Sequence, residues 1–330
     1  MPANLTPQYL VAEKAFQEAR TTEEKIRCLE EMLRLIPKHK GTDHLQGDLK
    51  RKLSKLRQKS REESTKPRKS FSFKVRKEGA GQVALAGVPN TGKSSLVNAL
   101  TNAEPEVGIY PYTTRVPQAA MMPYKDLKIQ LIDLPPISEE HEEHWVIDLL
   151  KAADAVLLVV DMKADPLSQL EFTCRHLQEK RLWPKSAQNL PEDKRPVAAV
   201  FRPMLIVCNK VDSAGEKEDF ELFHQLCEAD YPIIAVSAQT GRGMEELRQA
   251  LFEILGIIRV YSKTPGHKAD LDEPYVLPKG STVMDFAETV HREFAERMKF
   301  ARIWSENKYD GQMVNREEPL SDGDILELHQ

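Results

Sequence analysis

Gly87-Val88-Pro89-Asn90-Thr91-Gly92-Lys93-Ser94 stands between a short apolar run, residues 83–86, and a helical pattern that reaches Leu100. It is a complete G-x-x-x-x-G-K-S in the order strand, loop, helix, the context that gives the motif its meaning. Backbone N–H groups of such a loop, together with the positive end of the following helix, cradle phosphate oxygens, and glycine permits the close approach. Lys93 is placed to reach the β- and γ-phosphates, and the Ser94 hydroxyl suits magnesium. Gly87, Asn90, Thr91, Gly92, Lys93, Ser94 and Ser95 are the candidate phosphate-binding residues.

Four further apolar runs, residues 129–132, 155–160, 204–208 and 233–236, alternate with helical patterns. That alternation predicts an α/β fold, a mostly parallel sheet wrapped by helices. The run at 204–208 leads into Asn209-Lys210-Val211-Asp212, an N-K-x-D. A carboxylate at Asp212 accepts from both N1–H and the exocyclic amine of guanine, whereas adenine offers neither donor and leaves the charge unpaired. Ser237-Ala238, after the next run, completes a base pocket with a backbone N–H to the base oxygen.

With 330 residues, 41% hydrophobic and 30% charged, the chain has the composition of a soluble globular protein of two or three units. Cys28, Cys174, Cys208 and Cys227 are scattered, with no C-x-x-C pair and no histidine cluster beside them, which argues against zinc and fits a reduced, cytoplasmic setting. Neither an export signal nor a membrane span is expected, since no stretch approaches the roughly 20 apolar residues a span needs. Before residue 80 the sequence is polar and helical. Thr21-Thr22-Glu23-Glu24 reads as a capping box ahead of Ile26, Leu29, Leu33 and Ile36, and Leu45, Leu49, Leu53 and Leu56 form a second stripe. A helical hairpin is expected. Residues 50–77 hold thirteen Lys/Arg against two acids, a +11 segment in a chain of net charge -4. Such a run, with Phe71 and Phe73 interleaved, suits nucleic-acid phosphates and stacked bases, or else a solvated linker.

The phosphate loop, Tyr110-Pro111-Tyr112-Thr113-Thr114, Asn209-Lys210-Val211-Asp212 and Ser237-Ala238 together resemble the Obg-like translation-factor GTPases, and in particular the developmentally regulated GTP-binding family. Leu5-Thr6-Pro7, Ile36-Pro37-Lys38-His39-Lys40-Gly41-Thr42 and Leu53-Ser54-Lys55-Leu56-Arg57 resemble that family's helical N-terminus. The C-terminal part is similar to its TGS domain, a small ubiquitin-like β-grasp fold. There residues 258–261, 274–277, 301–304 and 325–328 read as strands and Gly280-Ser281-Thr282 as a helix start. The organisation expected is a helical hairpin over 1–62, a basic linker over 63–80, a P-loop G domain over 81–257 and a TGS domain over 258–330.

The resemblance implies a slow GTPase associated with ribosomes or RNA, through the basic segment and the TGS domain, and leaves room for a protein regulator. It implies that Lys93, Thr114 and Asp133 act in hydrolysis, with magnesium on Ser94, Thr114 and, through water, Asp133. Asn90 resembles the asparagine that helps hold potassium in potassium-stimulated members, and equally suits a loop residue stabilising its own turn. Two departures stand out. The usual D-x-x-G is Asp133-Leu134-Pro135-Pro136, followed by Ile137 where Ras-like enzymes carry a water-orienting glutamine. Pro136 has no N–H for a γ-phosphate, so a pseudo-GTPase that binds GTP or GDP without switching, or an RNA-binding adaptor built on the same scaffold, are the alternatives. The family's glycine-rich switch stretch and inserted domain are also absent. In their place Ser138-Glu139-Glu140-His141-Glu142-Glu143-His144 reads as a solvated helix start rather than a metal site, and residues 162–203 as a proline-broken segment suited to a partner-contacting loop.

Overall fold

The computed structural model describes residues 7–18, 22–36, 46–56, 73–101, 116–138, 143–227, 231–306 and 308–329. Thr113 and Thr114, residues 139–142 and the basic residues 57–72 lie outside this set. The five apolar runs become β1 (Gln82–Ala86), β3 (Leu127–Asp133), β4 (Ala155–Asp161), β7 (Met204–Asn209) and β8 (Ile233–Ala235), each parallel to its neighbours. A further strand, β2 (Gln118–Tyr124), runs antiparallel on the edge, giving the order β2-β3-β1-β4-β7-β8. The sequence did not announce β2, because an edge strand needs no continuous apolar run and tolerates Pro123.

The inner strands are apolar over most of their length because both sheet faces are covered, and the buried amides of Gln82 and Gln130 satisfy each other at 2.7 Å. Ala84, Ala86, Ile132, Leu158, Val160 and Ile206 face α5 (His144–Ala152), α6 (Pro166–Glu179) and α7 (Ala214–Leu226). Val83, Leu85, Leu131, Leu157 and Val207 face α4 (Lys93–Thr101) and α8 (Met244–Leu255). Helix α5 starts at His144 and buries Trp145, Val146, Ile147, Leu149 and Leu150. The segment over 162–203 is more ordered than its prolines suggest. Asp165 caps α6 by accepting from the Ser168 backbone N–H at 3.1 Å, and β5 (Leu182–Pro184) pairs with β6 (Val200–Arg202) around two 3₁₀ turns.

Helix α8 ends in Gly256, left-handed at φ 62°, and the next residue opens β9 (Ile257–Ser262) of a second sheet. This sheet adds β10 (Tyr275–Pro278), β11 (Phe300–Trp304), β12 (Gln312–Val314) and β13 (Asp324–His329) in the order β10-β9-β13-β11-β12. β9 and β13 are parallel at its centre. Thr282 and Asp285 form a capping box that starts α9 (Val283–Val290), whose Val283, Phe286 and Ala287 pack onto Val260, Ile303 and Leu326. α10 (Arg292–Arg297) follows.

Residues 1–71 form a separate unit. Within it are α1 (Pro7–Glu18), α2 (Thr22–Leu35) and α3, residues 46–56, whose Tyr9, Ala12, Leu29, Met32, Ile36 and Leu49 make one small core. Among its described residues there are three helices rather than the two of a hairpin. Its first helix packs Tyr9, Ala12 and the partly buried Phe16 on one face.

Candidate nucleotide site

Loop residues 87–92 leave the carboxyl end of β1 and meet the first turn of α4. Two glycines are dictated by space. A side chain at Gly87 would meet the Val159 carbonyl at 2.5 Å, and one at Gly92, where φ is +85°, would meet Asn209 Nδ2 at 2.5 Å. Lys93 is buried inside the turn and donates to the carbonyls of Gly87 at 3.0 Å and Val88 at 3.2 Å. Burial pushes its ammonium down to about 8, against the charge of Asp133. Ser94 and Ser95 are exposed on the first turn of α4, and the Ser94 hydroxyl donates to Asp133 Oδ2 at 2.5 Å. Burial raises the Asp133 carboxyl, opposed by Ser94 and Lys93. Among the described residues, its other oxygen, Oδ1, is buried with no hydrogen-bond partner. A hydroxyl and a half-satisfied carboxylate, side by side at the mouth of a phosphate loop, form an oxygen donor set that fits magnesium.

The base-reading segment is fastened to the phosphate loop. Buried Asn209 donates to the Thr91 carbonyl at 2.9 Å and accepts from the Ala238 N–H at 3.2 Å. Lys210, left-handed at φ 69°, donates to the Asn90 carbonyl at 2.8 Å and to Asp161 at 2.5 Å. Asn90 is itself left-handed, at φ 66°, and exposed. Asp212 accepts from Lys163 at 2.6 Å and from the Ser237 hydroxyl at 2.6 Å. Those two hydrogen bonds, Lys163 first, hold its carboxyl below the usual carboxylate range. Asp161 and Lys163 were not singled out in the sequence. Their signal is positional: they stand at the carboxyl end of β4, the neighbour of β7, where open parallel sheets gather their ligand contacts.

Because Asn209 bridges two loops, Asn209→Ala is expected to weaken GTP and GDP by the same factor, about five- to 150-fold for orphaned buried groups worth roughly 1–3 kcal/mol. Titration with fluorescent nucleotides, alongside a melting curve, measures this. A loss confined to one nucleotide would contradict the bridging role.

Comparison with known proteins agrees with this architecture. A family model described as 50S ribosome-binding GTPase matches residues 82–210, and a TGS domain model matches residues 258–330. An uncharacterized GTP-binding protein of Methanocaldococcus jannaschii is 30% identical, the match covering 93% of this chain and 92% of that protein. The chain belongs to the Obg-like GTP-binding proteins of the developmentally regulated type. Developmentally-regulated G-protein 1 of Arabidopsis thaliana is 29% identical over 92% of this chain and 90% of its own length. The YchF GTPase of Schizosaccharomyces pombe shares the fold, with a TM-score of 0.56 at 12% identity over 77% of this chain and 99% of that one. The archaeal alignment runs over 370 positions, more than the 330 residues present here, so that relative carries segments this GTP-binding protein lacks.

In this GTP-binding protein the segment after β3 is pinned rather than free. Ile137 is 1% exposed, packs in the core with Leu134 and Trp145, and donates its N–H to the Gly87 carbonyl at 3.1 Å. The position that holds a water-orienting side chain in Ras-like enzymes is here a core residue, and exposed Pro136 has no N–H to offer. Thr114 lies outside the described residues. Among those residues, no helix is long and apolar enough to cross a membrane.

Proposed function

We propose that this GTP-binding protein is a slow GTPase, hydrolysing GTP to GDP and phosphate while acting on the ribosome or an RNA in the cytoplasm. The observation that carries the reading is the convergence of Lys93, Ser94 and the half-satisfied Asp133 on the phosphate loop, joined through Asn209 to the guanine-reading segment. Gly87, Asn90, Thr91, Gly92, Lys93, Ser94 and Ser95 take the phosphates. Asn209, Lys210, Asp212, Ser237 and Ala238 take the base. Ser94, Thr114 and, through water, Asp133 are the residues that would hold magnesium, which neutralises charge on the β- and γ-oxygens when bound. Phosphoryl transfer to water asks mainly for such positioning and charge, so Lys93, with its ammonium inside the loop, meets the developing negative charge. Asn90 at the loop's exposed shoulder is the residue for a potassium ion, which a comparison of rates in potassium and sodium would reveal. The partner contacts are assigned to the basic segment 50–77 and the C-terminal domain, and the division into 1–62, 63–80, 81–257 and 258–330 follows this separation of tasks.

Pro136 and buried Ile137 favour a second reading, a protein that binds GTP or GDP as a structural ligand and does not hydrolyse GTP appreciably. Single-turnover phosphate release, with and without ribosomes, decides between them: acceleration by ribosomes supports the first reading, and release at the uncatalysed rate in both settings supports the second. Restoring the glycine tests the cause. Pro136→Gly returns an N–H to the γ-phosphate, a charge-assisted bond of roughly 1.5–3 kcal/mol. Ile137 anchors the segment next to it, so the expected gain in GTP-over-GDP preference is near the low end, about tenfold. An unchanged affinity ratio in paired titrations would show that the proline is neutral.

A further inference from the structure

The strands beside the magnesium residues are tied at their far end to the C-terminal domain. β2 and β3 pair along their whole length, from Gln118 opposite Asp133 to Tyr124 opposite Leu127. One end of this hairpin carries Asp133 and receives the chain from the segment that holds Thr114. The other is the turn Lys125-Asp126, with Lys125 left-handed at φ 52°, about 20 Å away at ~3.4 Å per residue. At this tip the Asp126 carboxylate accepts from Arg259 Nη1 at 2.8 Å and from the Tyr261 hydroxyl, both on β9. The same guanidinium forks onto Asp322, with Nε at 3.0 Å and Nη2 at 2.8 Å, and the Arg259 backbone N–H reaches Asp322 at 2.8 Å.

The Arg259 side chain is 11% exposed, so these are not loosely solvated surface pairs. All three nitrogens of one planar fork are engaged by two carboxylates, one from each domain, a geometry that a lysine ammonium does not reproduce. Burial works against charge at Asp126, yet the Arg259 and Tyr261 hydrogen bonds hold its carboxyl below the usual range. The hairpin tip cannot shift against the C-terminal sheet without breaking this link.

We infer that Arg259 is a positioning residue for the nucleotide site: through Asp126 it holds the β2–β3 hairpin, so that nucleotide state and whatever engages the C-terminal domain are coupled. The inference rests on the GTP-binding reading and needs neither hydrolysis nor a ribosome. Coupling of this kind is reciprocal and commonly five- to 150-fold. The test uses the full chain with Asp126→Asn, Arg259→Gln and the double variant, titrated with labelled GDP and a labelled non-hydrolysable GTP analogue. Each single variant is expected to shift the GTP-to-GDP affinity ratio about fivefold or more, and the double variant no further, because the two residues form one link. A purely structural role would lower the melting temperature or weaken both nucleotides equally, leaving the ratio fixed. A ratio within twofold of wild type in both single variants, or shifts that add in the double variant, would overturn the inference. Should Arg259→Gln fail to fold, Arg259→Lys takes its place; it keeps the charge, loses the fork, and is expected to shift the ratio as Asp126→Asn does. Failure of the GTP-binding reading registers separately, as absent binding of both labelled nucleotides to the wild-type protein.

Discussion

Asp212→Asn is expected to lower affinity for GDP and GTP by about a hundredfold or more while raising that for xanthine nucleotides. The carboxylate accepts from two guanine donors, whereas an amide has one accepting oxygen and turns an NH₂ toward the other. Two charge-assisted bonds at roughly 1.5–3 kcal/mol each correspond to about 10²- to 10⁴-fold. Xanthine carries a carbonyl where guanine carries its amine, and the new NH₂ can donate to it. The structure gives a reason why rotation of the side chain will not rescue guanine: Ser237 and Lys163 hold the group from two sides at 2.6 Å each. Parallel titrations with labelled GDP and xanthosine diphosphate measure both halves of the exchange. An unchanged GDP affinity would remove Asp212 from the base pocket.

The second large effect concerns the basic segment. Replacing Lys66, Arg68, Lys69, Lys74 and Arg76 with glutamine removes five of its thirteen cations. If each meets one phosphate, the slope of log affinity against log salt falls by about 3.5 to 4.5, worth about two orders of magnitude across a fourfold change in salt. Lys74 and Arg76 are exposed and so available for such contact. Ribosome co-sedimentation across a salt series reads the slope, and nucleotide affinity serves as the internal control, expected to stay unchanged because the phosphate loop lies outside the replaced residues. A variant that pellets as well as the wild type at every salt concentration would move the partner contact to the C-terminal domain.

The phosphate loop and the β-grasp domain were legible because their signals are local: a strand followed by glycines at fixed spacing, the helix start at Gly280-Ser281-Thr282, and short apolar runs that become strands. What escaped the sequence depends on which strands become neighbours. Lys163 gains meaning once β4 lies beside β7 and brings it within 2.6 Å of Asp212, forty-nine residues away. Ile137 looks like a replaced catalytic side chain until Leu134 and Trp145 close around it. Two of the missed strands, β5, which ends in Pro184, and β6, which Pro203 follows, are three residues each, too short for period-two alternation to register. Arg259 and Asp126 carry no motif at all, and their pairing emerges only when β9 is set against the hairpin tip.

The passage from α8 to β9 has a consequence for how such chains can vary. A single residue, Gly256, separates the last turn of the helix from the first residue of the strand, and its carbonyl is held by the Lys279 N–H at 2.7 Å. An α-helix turns about 100° with every residue added. Inserting or deleting one residue in α8 would therefore swing the departure of β9 by about that angle and carry Arg259 away from Asp126, whereas the same change among the exposed residues 191–195 would displace nothing but surface. The length of this one helix is set in phase with the domain that follows it, and tolerance to insertion should collapse there while remaining broad in the loops around it.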